Sequence, residues 1–309
     1  MQRPMPASIS EEAFAAFFDL YHLHTSDADL AANSDEVQRA ATRDHLMTGA
    51  TRLPGEVVLR IINPNLEVDG WGGKHTVVQL VMDDMPFVVD SLTAAMSRLS
   101  RGLVRVLHPV LPVVRDAKGE IQSVGEQADA RLESWCEFVI QRVLTPAAQA
   151  ELEQQLRQVI GDIEQVNADW APMRECALRL AADAPAGDDT GEFLRWIADG
   201  NFTFLGYRYY ELDADQLVAV PTSGLGLLNG KPASITKFDE MSPHAKQAAH
   251  SRQRLVIAKS AVRSTVHRAV RSGGGRAPVH RSAQSRGVGR TSPAVADCAQ
   301  RRRAGPGPQ

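Results

Sequence analysis

The sequence predicts an α+β fold in which two helices cover one face of a small sheet. Residues 75–166 alternate β-rich apolar runs with runs at helical spacing, in the order β-α-β-β-α. Hydrophobic residues make up 43% of the 309 positions, which is typical of a chain that builds an ordinary globular core. Pro109 and Pro112 fall inside the second apolar strand run, and because proline cannot donate to a strand ladder, they indicate an edge or bent strand.

An N-terminal helical segment with one short strand is predicted for residues 1–70. Ser10 is a polar N-cap residue, and Glu11 follows it in the first turn, where an acidic side chain is favourable. The pairs Pro54-Gly55 and Asn63-Pro64 interrupt the periodic patterns that precede them. The elements predicted in this segment are a helix over 11–21, a helix over about 34–53 and a strand over 57–62.

Residues 71–182 are predicted to form the α/β domain itself. Its elements are a strand over 75–82, a helix over 86–99, strands over 103–114 and 135–144, and a long helix from Thr145-Pro146. The long helix carries an apolar stripe at helical spacing, made of Leu152, Leu156, Val159, Ile160, Ile163 and Val166. Each such side chain contributes about 1.5–3 kcal/mol when fully buried, so the stripe can hold the helix on the sheet. The element order is that of a ferredoxin-like sandwich.

Residues 183–268 are predicted to contain one helix and a β-hairpin that lead into an incomplete next domain. The apolar residues of 193–197 share a short helix. The aromatic-rich strand over 202–212 can pair with a strand over 217–220, and residues 255–259 form the last predicted strand.

The C-terminal tail, residues 269–309, differs from the rest of the chain in charge and composition. It carries eight Arg, no Lys and one acid, whereas residues 1–268 carry 26 basic and 36 acidic residues. The tail contains no Ile, Leu, Phe, Met, Trp or Tyr, so it cannot offset an ordering cost of roughly 1–2 kcal/mol per residue. We therefore expect a disordered tail. Because Arg, Gly, Ala and Pro fill 26 of its 41 positions, an out-of-frame reading beyond codon 268 is our hypothesis for its origin.

Several classes of protein are disfavoured by the sequence. No apolar run reaches the about 18 residues of a membrane-spanning helix, and Glu11 with Glu12 interrupts the uncharged core that an export signal needs. The three cysteines, Cys136, Cys176 and Cys298, are odd in number and far apart, which argues against a disulfide framework or a zinc ribbon. We expect a cytoplasmic protein without a metal site.

Three motifs allow two interpretations each. The glycines of 224–230 suggest a phosphate loop, but the third comes one residue late for G-x-G-x-x-G and no helix follows, which favours a turn. The pair Asp83-Asp84 suggests an acid pair or a cation site, but adjacent side chains point in different directions, which favours helix capping. Arg263, His267 and Arg268 follow the last strand and suggest either an anion site or a solvated basic face.

Several sequence blocks resemble the N-terminal region of the large bacterial NAD-specific glutamate dehydrogenases. The likeness extends in order from about Phe14 to Arg268. The blocks are Asn63-Pro64, Gly70-Trp71, residues 75–78, 83–91, 108–110, 133–135, 193–208 and 259–268. The resemblance implies an ACT-like regulatory region with a β-α-β-β-α-β plan, at the start of a very long chain that oxidises glutamate to 2-oxoglutarate and ammonia with NAD.

Two departures from the family pattern limit what the resemblance implies for individual residues. The sequence has no Lys-Gly-Gly, which holds the catalytic lysine of glutamate dehydrogenases, and no dinucleotide fingerprint. No catalytic, metal or cofactor residue is therefore assigned, and NAD is implied only for the full-length family. Amino-acid-binding ACT domains place D-x-P-G at the first strand-to-helix turn, but here Asp84-Met85-Pro86 is followed by Phe87. The ring of Phe87 would crowd a ligand where glycine permits close approach.

The resemblance and the residues together support three hypotheses. The first is an N-terminal regulatory or assembly fragment of an NAD-dependent glutamate dehydrogenase, inactive alone, whose partners are the remainder of the enzyme or further copies of itself. The second is a stand-alone ACT-type module that binds an amino-acid effector. In either case the effector or domain-contact residues are expected to be Asp84, Pro86, Phe87, Arg263, His267 and Arg268. Nucleic-acid binding by the tail ranks last, because the tail has no aromatic residue to stack on bases and the body is acidic.

Overall fold

The computed structural model describes residues 9–31, 33–184, 189–213, 216–220, 222–230, 236–237 and 254–260. The chain divides into two compact units, Met1–Ile163 and Glu164–Gln309.

In the part of the first unit that the structure describes there are five short helices, six strands and the start of a long helix. In chain order they are α1 (Glu11–His22), α2 (Asp27–Leu30), α3 (Asp35–Thr48), β1 (Val58–Ile62), α4 (Leu66–Asp69), β2 (Thr76–Asp83), α5 (Val88–Arg98), β3 (Leu103–Leu107), β4 (Val110–Arg115), β5 (Ile121–Val124) and β6 (Arg131–Ile140). Helix α6 (Pro146–Ala182) begins in this unit and continues into the second.

The six strands of the first unit form one antiparallel sheet. The strand order is β1-β2-β6-β4-β5, and β3 also pairs with β6. The predicted β-α-β-β-α order corresponds to β2, α5, β3 with β4, β6 and α6. Strand β2 lies between β6, where Val78 is opposite Phe138, and β1, where Val78 is opposite Ile61. The predicted α+β sandwich is confirmed, and a strand that precedes it in the chain completes one edge.

The strand predicted over 103–114 is in fact two strands. Strand β3 ends with Leu107 opposite Glu137, and β4 begins with Val110 opposite Ser134. Between them Pro109 has no N–H to donate, and its carbonyl accepts from the Trp135 backbone N–H at 3.0 Å. The pairing register against β6 is the same on both sides of Pro109, so the proline removes one donor from the ladder without shifting it.

The second predicted helix is also shorter than expected. It ends at Thr48, with Gly49 as its C-cap residue. The chain then leaves the helix because residues 50–52 form backbone contacts with the segment before β5: Thr51 pairs with Glu120 and the Arg52 N–H donates to the Gly119 carbonyl at 3.0 Å. Local periodicity could not reveal this distant pairing.

One face of the sheet packs against α5 and the first part of α6. The buried residues of this core include Val78, Leu80, Met82, Cys136, Phe138 and Ile140 from the sheet, and Leu92, Met96, Leu152, Leu156, Ile160 and Ile163 from the helices. These positions alternate along the strands and recur at helical spacing, as their sequence pattern predicts.

The opposite sheet face packs against α1 and α3. Phe14, Phe17 and Tyr21 of α1 contact a core that includes Val81 and Trp135. Trp135 is fully buried, and its ring lies edge-on to Phe17 with centroids 5.1 Å apart. The central strands are therefore buried on both faces, although antiparallel sheets often leave one face in water.

Within the described residues, the second unit comprises the remainder of α6, a short helix and a five-stranded sheet. Its further elements are α7 (Asp189–Trp196), a π-helical turn (Ile197–Asn201), β7 (Phe204–Asp213), β8 (Gln216–Ala219), β9 (Leu225–Gly226), β10 (Thr236–Lys237) and β11 (Arg254–Ser260). The sheet order is β10-β8-β7-β11, with β9 paired to β7. The core consists of Met173 and Cys176 of α6 with Ile197, Phe204 and Tyr207, among others.

The glycines of 224–230 form a turn, as the sequence favoured. The Gly226 N–H donates to the buried Asp169 carboxylate at 2.8 Å, and the Leu227 N–H donates to the Leu205 carbonyl at 2.7 Å. Because these N–H groups are used within the protein, they are not available to cradle a phosphate. Within the described residues, no helix is long and apolar enough to cross a membrane.

Candidate functional site

The turn between β2 and α5 brings together the three candidate residues that the structure describes. Asp84, Pro86 and Phe87 all lie in this turn, between the end of β2 and the start of α5 at Val88. The other three candidates, Arg263, His267 and Arg268, lie outside the described residues.

Asp84 is tied to the start of β6. Its backbone N–H donates to the Leu132 carbonyl at 3.0 Å, and its carboxylate accepts from the Ser134 hydroxyl at 2.6 Å. The Ser134 Oγ also lies 3.3 Å from His108 Nε2. Since the hydroxyl proton goes to Asp84, the histidine nitrogen is the donor in the second contact. Partial burial lowers the pKa of His108, and the Asp84 carboxylate opposes that shift.

Asp83 points to the other side of the sheet, as expected for the neighbour of Asp84 in a strand. Its carboxylate accepts from Arg52 at 2.6 Å and from the Gly55 N–H at 3.1 Å. The prediction that this acid pair caps the helix is wrong for both residues. Helix α5 has Phe87 as its N-cap and no side-chain capping bond, because the turn places the helix start beyond the reach of either carboxylate.

Phe87 has the backbone conformation that the family's glycine would favour. Its φ is +78° and its ψ is −1°, which is the left-handed region. A residue with a Cβ pays roughly 1–2 kcal/mol to adopt this conformation. The turn thus keeps the backbone geometry of a D-x-P-G turn while carrying a half-buried aromatic ring in place of a hydrogen atom. Such strain persists where the surrounding sheet and helix determine the backbone geometry.

A buried ionic cluster lies behind the turn, on the sheet face opposite α5. Glu133 is 1% exposed and accepts from Arg115 Nε at 2.7 Å and from Arg52 at 2.8 Å. Arg115 also donates to the Gly49 carbonyl at the end of α3, at 2.9 Å. Burial lowers the pKa of Arg52, but its hydrogen bonds to Glu133 and Asp83 outweigh burial and raise it. The cluster joins α3, β2, β4 and β6.

Sequence reasoning missed this cluster because its members carry no local signal. They come from four separate segments, and each alone is an ordinary charged residue on a strand or loop. Only the pairing of the strands places Asp83 opposite Glu133. Alternation could have indicated that both share one sheet face, but it could not show that the face is covered.

A second polar layer lies between the sheet and helices α1 and α3. Glu137 accepts from Arg105 at 2.8 Å, and its burial raises the pKa of its carboxyl group, against the opposing effect of Arg105. Burial lowers the pKa of His22 to about 4 and that of His45 to about 3. His45 Nδ1 contacts the Tyr21 hydroxyl at 2.8 Å. Both histidines are therefore neutral near pH 7 and serve as hydrogen-bonding groups in the interface.

Beside the turn, two apolar side chains are exposed. Val110 and Leu132 are 38% and 56% exposed, and they lie next to Ser134 because Val110 is its strand partner. We name the group formed by Asp84, Phe87, His108, Val110 and Leu132 the turn surface. It combines a carboxylate, an imidazole and exposed apolar groups.

Redox and metal chemistry find no support in the described part of the chain. Burial raises the pKa of the Cys136 thiol, so the thiolate needed for nucleophilic attack is disfavoured. No group of three or more His, Cys, Asp or Glu side chains in the described residues could hold a metal ion.

The fold and the turn define a regulatory domain of the ACT class. The sequence profile of the family described as "Glutamate dehydrogenase, ACT1 domain" matches residues 17–156, which include the whole six-stranded sheet, helices α2 to α5, and parts of α1 and α6. The chain belongs to the NAD-specific glutamate dehydrogenase family, of which it contains the ACT1 domain.

Curated relatives agree with this assignment. The chain is 32% identical over 230 residues to the NAD-specific glutamate dehydrogenase of Halomonas elongata, and 31% identical over 229 residues to that of Pseudomonas aeruginosa. Each alignment covers 68% of this chain and 14% of the relative. The Mycobacterium tuberculosis enzyme is 26% identical over 256 residues, or 76% of this chain and 16% of the relative. The chain thus spans about one seventh of the length of these relatives.

Proposed function

We propose that this chain is an N-terminal regulatory and assembly module of an NAD-dependent glutamate dehydrogenase. The observation that carries the proposal is the match of residues 17–156 to the ACT1 domain. This region lies in an alignment that covers 14% of the length of a relative described as NAD-specific glutamate dehydrogenase. In the whole enzyme, glutamate would be oxidised to 2-oxoglutarate and ammonia with NAD. The division into parts at residues 70, 182 and 268 belongs to this proposal.

The module is inactive alone in this proposal. Neither the Lys-Gly-Gly motif nor a dinucleotide fingerprint occurs in the 309 residues, and the turn surface offers groups for binding. We therefore expect no glutamate-dependent formation of NADH by the purified chain. Cys136 and Cys176 are buried and form no disulfide within the described residues; this supports a reducing compartment, and we place the module in the cytoplasm.

The turn surface is the proposed contact with the remainder of the enzyme. Leu132 and Val110 would be covered there, which removes apolar area from water at about 25 cal/mol per Å². A Leu132→Ser variant is expected to weaken co-elution of the chain with a separately produced remainder of the dehydrogenase. Val104→Ser is the matched control, because Val104 is 53% exposed on β3 but lies outside the turn surface.

The outcome that contradicts this contact is equal co-elution of both variants. If neither variant nor the unchanged chain co-elutes, the assembly proposal itself fails. Circular dichroism of both variants verifies that the sheet is intact, since both substitutions lie at exposed positions.

A stand-alone amino-acid sensor is the second candidate function. The observation that favours it is the left-handed backbone of Phe87, which preserves the turn geometry that a ligand would approach. Calorimetry with a panel of amino acids, on the unchanged chain and on Asp84→Asn, separates the candidates. The sensor function predicts heat that is lost in Asp84→Asn, whereas the module proposal predicts no heat that depends on residue 84.

A further inference from the structure

A cavity of about 370 Å³ that is open to solvent lies beside helices α1, α2 and α3, and it shares no lining residue with the turn surface. Its apolar wall includes Phe18 and Leu30, and its polar lining includes Asn33, Asp35 and Arg39. Cavities of roughly 300–1,000 Å³ with apolar walls and a few polar groups are typical of small-molecule sites. The size and lining of this cavity are therefore those of a small-molecule site.

Arg39 presents a positive charge without an anionic partner in the described part of the chain. Its guanidinium carbon lies 5.4 Å from the ring centre of Phe14 and 5.3 Å from that of Phe18. Contacts of this kind attract the cation and hold its plane. Arg43, one turn further along α3, differs: it lies 4.6 Å from the Phe14 ring centre and also pairs with Glu11 at 2.9 Å. Arg39 has the aromatic support without the carboxylate.

Asp35 sets the charge balance of the cavity. It precedes Arg39 by one helical turn, a spacing that permits an ion pair, but no such pair is formed within 4.0 Å in this structure. One cation and one anion therefore line the same cavity without forming a pair. A ligand with one negative charge can contact Arg39 at little cost, whereas a second negative charge would meet Asp35.

Gln38 keeps the wall of the cavity in place. Its side-chain amide donates to the carbonyl oxygens of Leu30 at 2.6 Å and Asn33 at 3.0 Å. These bonds tie the end of α2 and Asn33 to α3. A preformed wall and a preoriented guanidinium reduce the ordering cost of binding.

We propose that this cavity binds a small monocarboxylate, with the carboxylate on Arg39 and the hydrocarbon part against Phe18 and Leu30. The planar guanidinium matches the carboxylate geometry and can donate two parallel hydrogen bonds. The proposal goes beyond the regulatory role inferred from the turn, and it does not depend on that role. It assigns a ligand site to the N-terminal helices of the domain.

The test titrates sodium 4-methylpentanoate into the full 309-residue chain at low ionic strength, followed by calorimetry. The unchanged chain is expected to show saturable binding, and Arg39→Gln is expected to weaken it by about ten- to hundredfold, as for loss of a hydrogen-bonded charge. Arg157→Gln is the matched control, because Arg157 is an exposed arginine paired with Glu153 on α6 and is not among the residues lining the cavity. Absence of saturable binding, or equal binding by Arg39→Gln, overturns the proposal.

A variant that is expected to bind more tightly shows that loss of binding in the other variant is not caused by misfolding. Removing the negative charge in Asp35→Asn is expected to strengthen the binding of glutarate, a dicarboxylate, relative to the unchanged chain, which an unfolded variant could not do. Unchanged glutarate binding contradicts the assigned role of Asp35. Tighter binding of leucine than of 4-methylpentanoate would also overturn the assignment, because it would place an ammonium group on Asp35.

Discussion

Replacing Glu133 with glutamine tests the buried ionic cluster behind the turn. The substitution keeps the side-chain shape but removes the negative charge that faces Arg52 and Arg115, at 2.8 Å and 2.7 Å. Arg52 and Glu133 are each 1% exposed, so the remaining cations cannot regain their hydration. Breaking one partner of a buried ion pair costs about 3–5 kcal/mol.

The expected loss is large enough to measure by thermal unfolding. At roughly 2–4 °C per kcal/mol for a unit of this size, Glu133→Gln should lower the midpoint of thermal unfolding by about 6–20 °C. Glu153→Gln is the control, because its pair with Arg157 is exposed on α6 and such pairs contribute about 0.3–0.5 kcal/mol. If the two variants unfold at the same temperature, the cluster does not stabilise the fold as argued.

Three further predictions concern packing, pH and the second unit. Gly49→Ala would place a Cβ 2.4 Å from Trp135 Cη2 and should lower the free energy of unfolding in urea by about 1–3 kcal/mol. The control Gly161→Ala has open space around its Cβ and should be neutral or stabilising, so equal effects of the two variants would refute the steric argument. Because the pKa of His22 is lowered to about 4, the unfolded chain takes up a proton between pH 6.5 and 4 that the folded chain does not, and the free energy of unfolding falls as the pH falls. Urea unfolding at each pH should show a flatter pH dependence for His22→Gln, and an unchanged slope would contradict the role of His22. Asp169→Asn should speed hydrogen exchange at the Gly226 amide, which donates to Asp169 at 2.8 Å, while amides of β2 are unaffected; unchanged exchange at Gly226 would show that the carboxylate does not hold the turn.

In the first unit, sequence patterns predict which side chains share a strand face, but not which strands pair or what covers them. Alternation along 135–140 placed Phe138 and Glu137 on opposite faces of a strand, and the structure agrees. The pattern could not reveal that Glu137 is 3% exposed, because the covering helices come from a segment more than 80 residues earlier. Strand β1 was recognised as a strand, but its place beside β2 depends on pairing that no local signal encodes.

The candidate site shows the same boundary between local and distant information. The acid-proline turn after the first strand of the block was located by its residue types. The contact of Asp84 with Ser134 joins positions 50 residues apart, and the left-handed backbone of Phe87 contradicts its intrinsic preference. Tertiary packing determines both features, so sequence reasoning predicted the place of the site but not its bonds.

Glutamate-dependent formation of NADH tests the central claim most directly. The purified 309-residue chain, shown to be folded by circular dichroism, is mixed with saturating glutamate and NAD, and absorbance of NADH is followed. The Halomonas elongata enzyme, 32% identical over 230 residues, serves as the positive control in the same buffer. A regulatory module predicts no NADH above the enzyme-free blank, whereas turnover that persists after repurification of the chain would contradict the account.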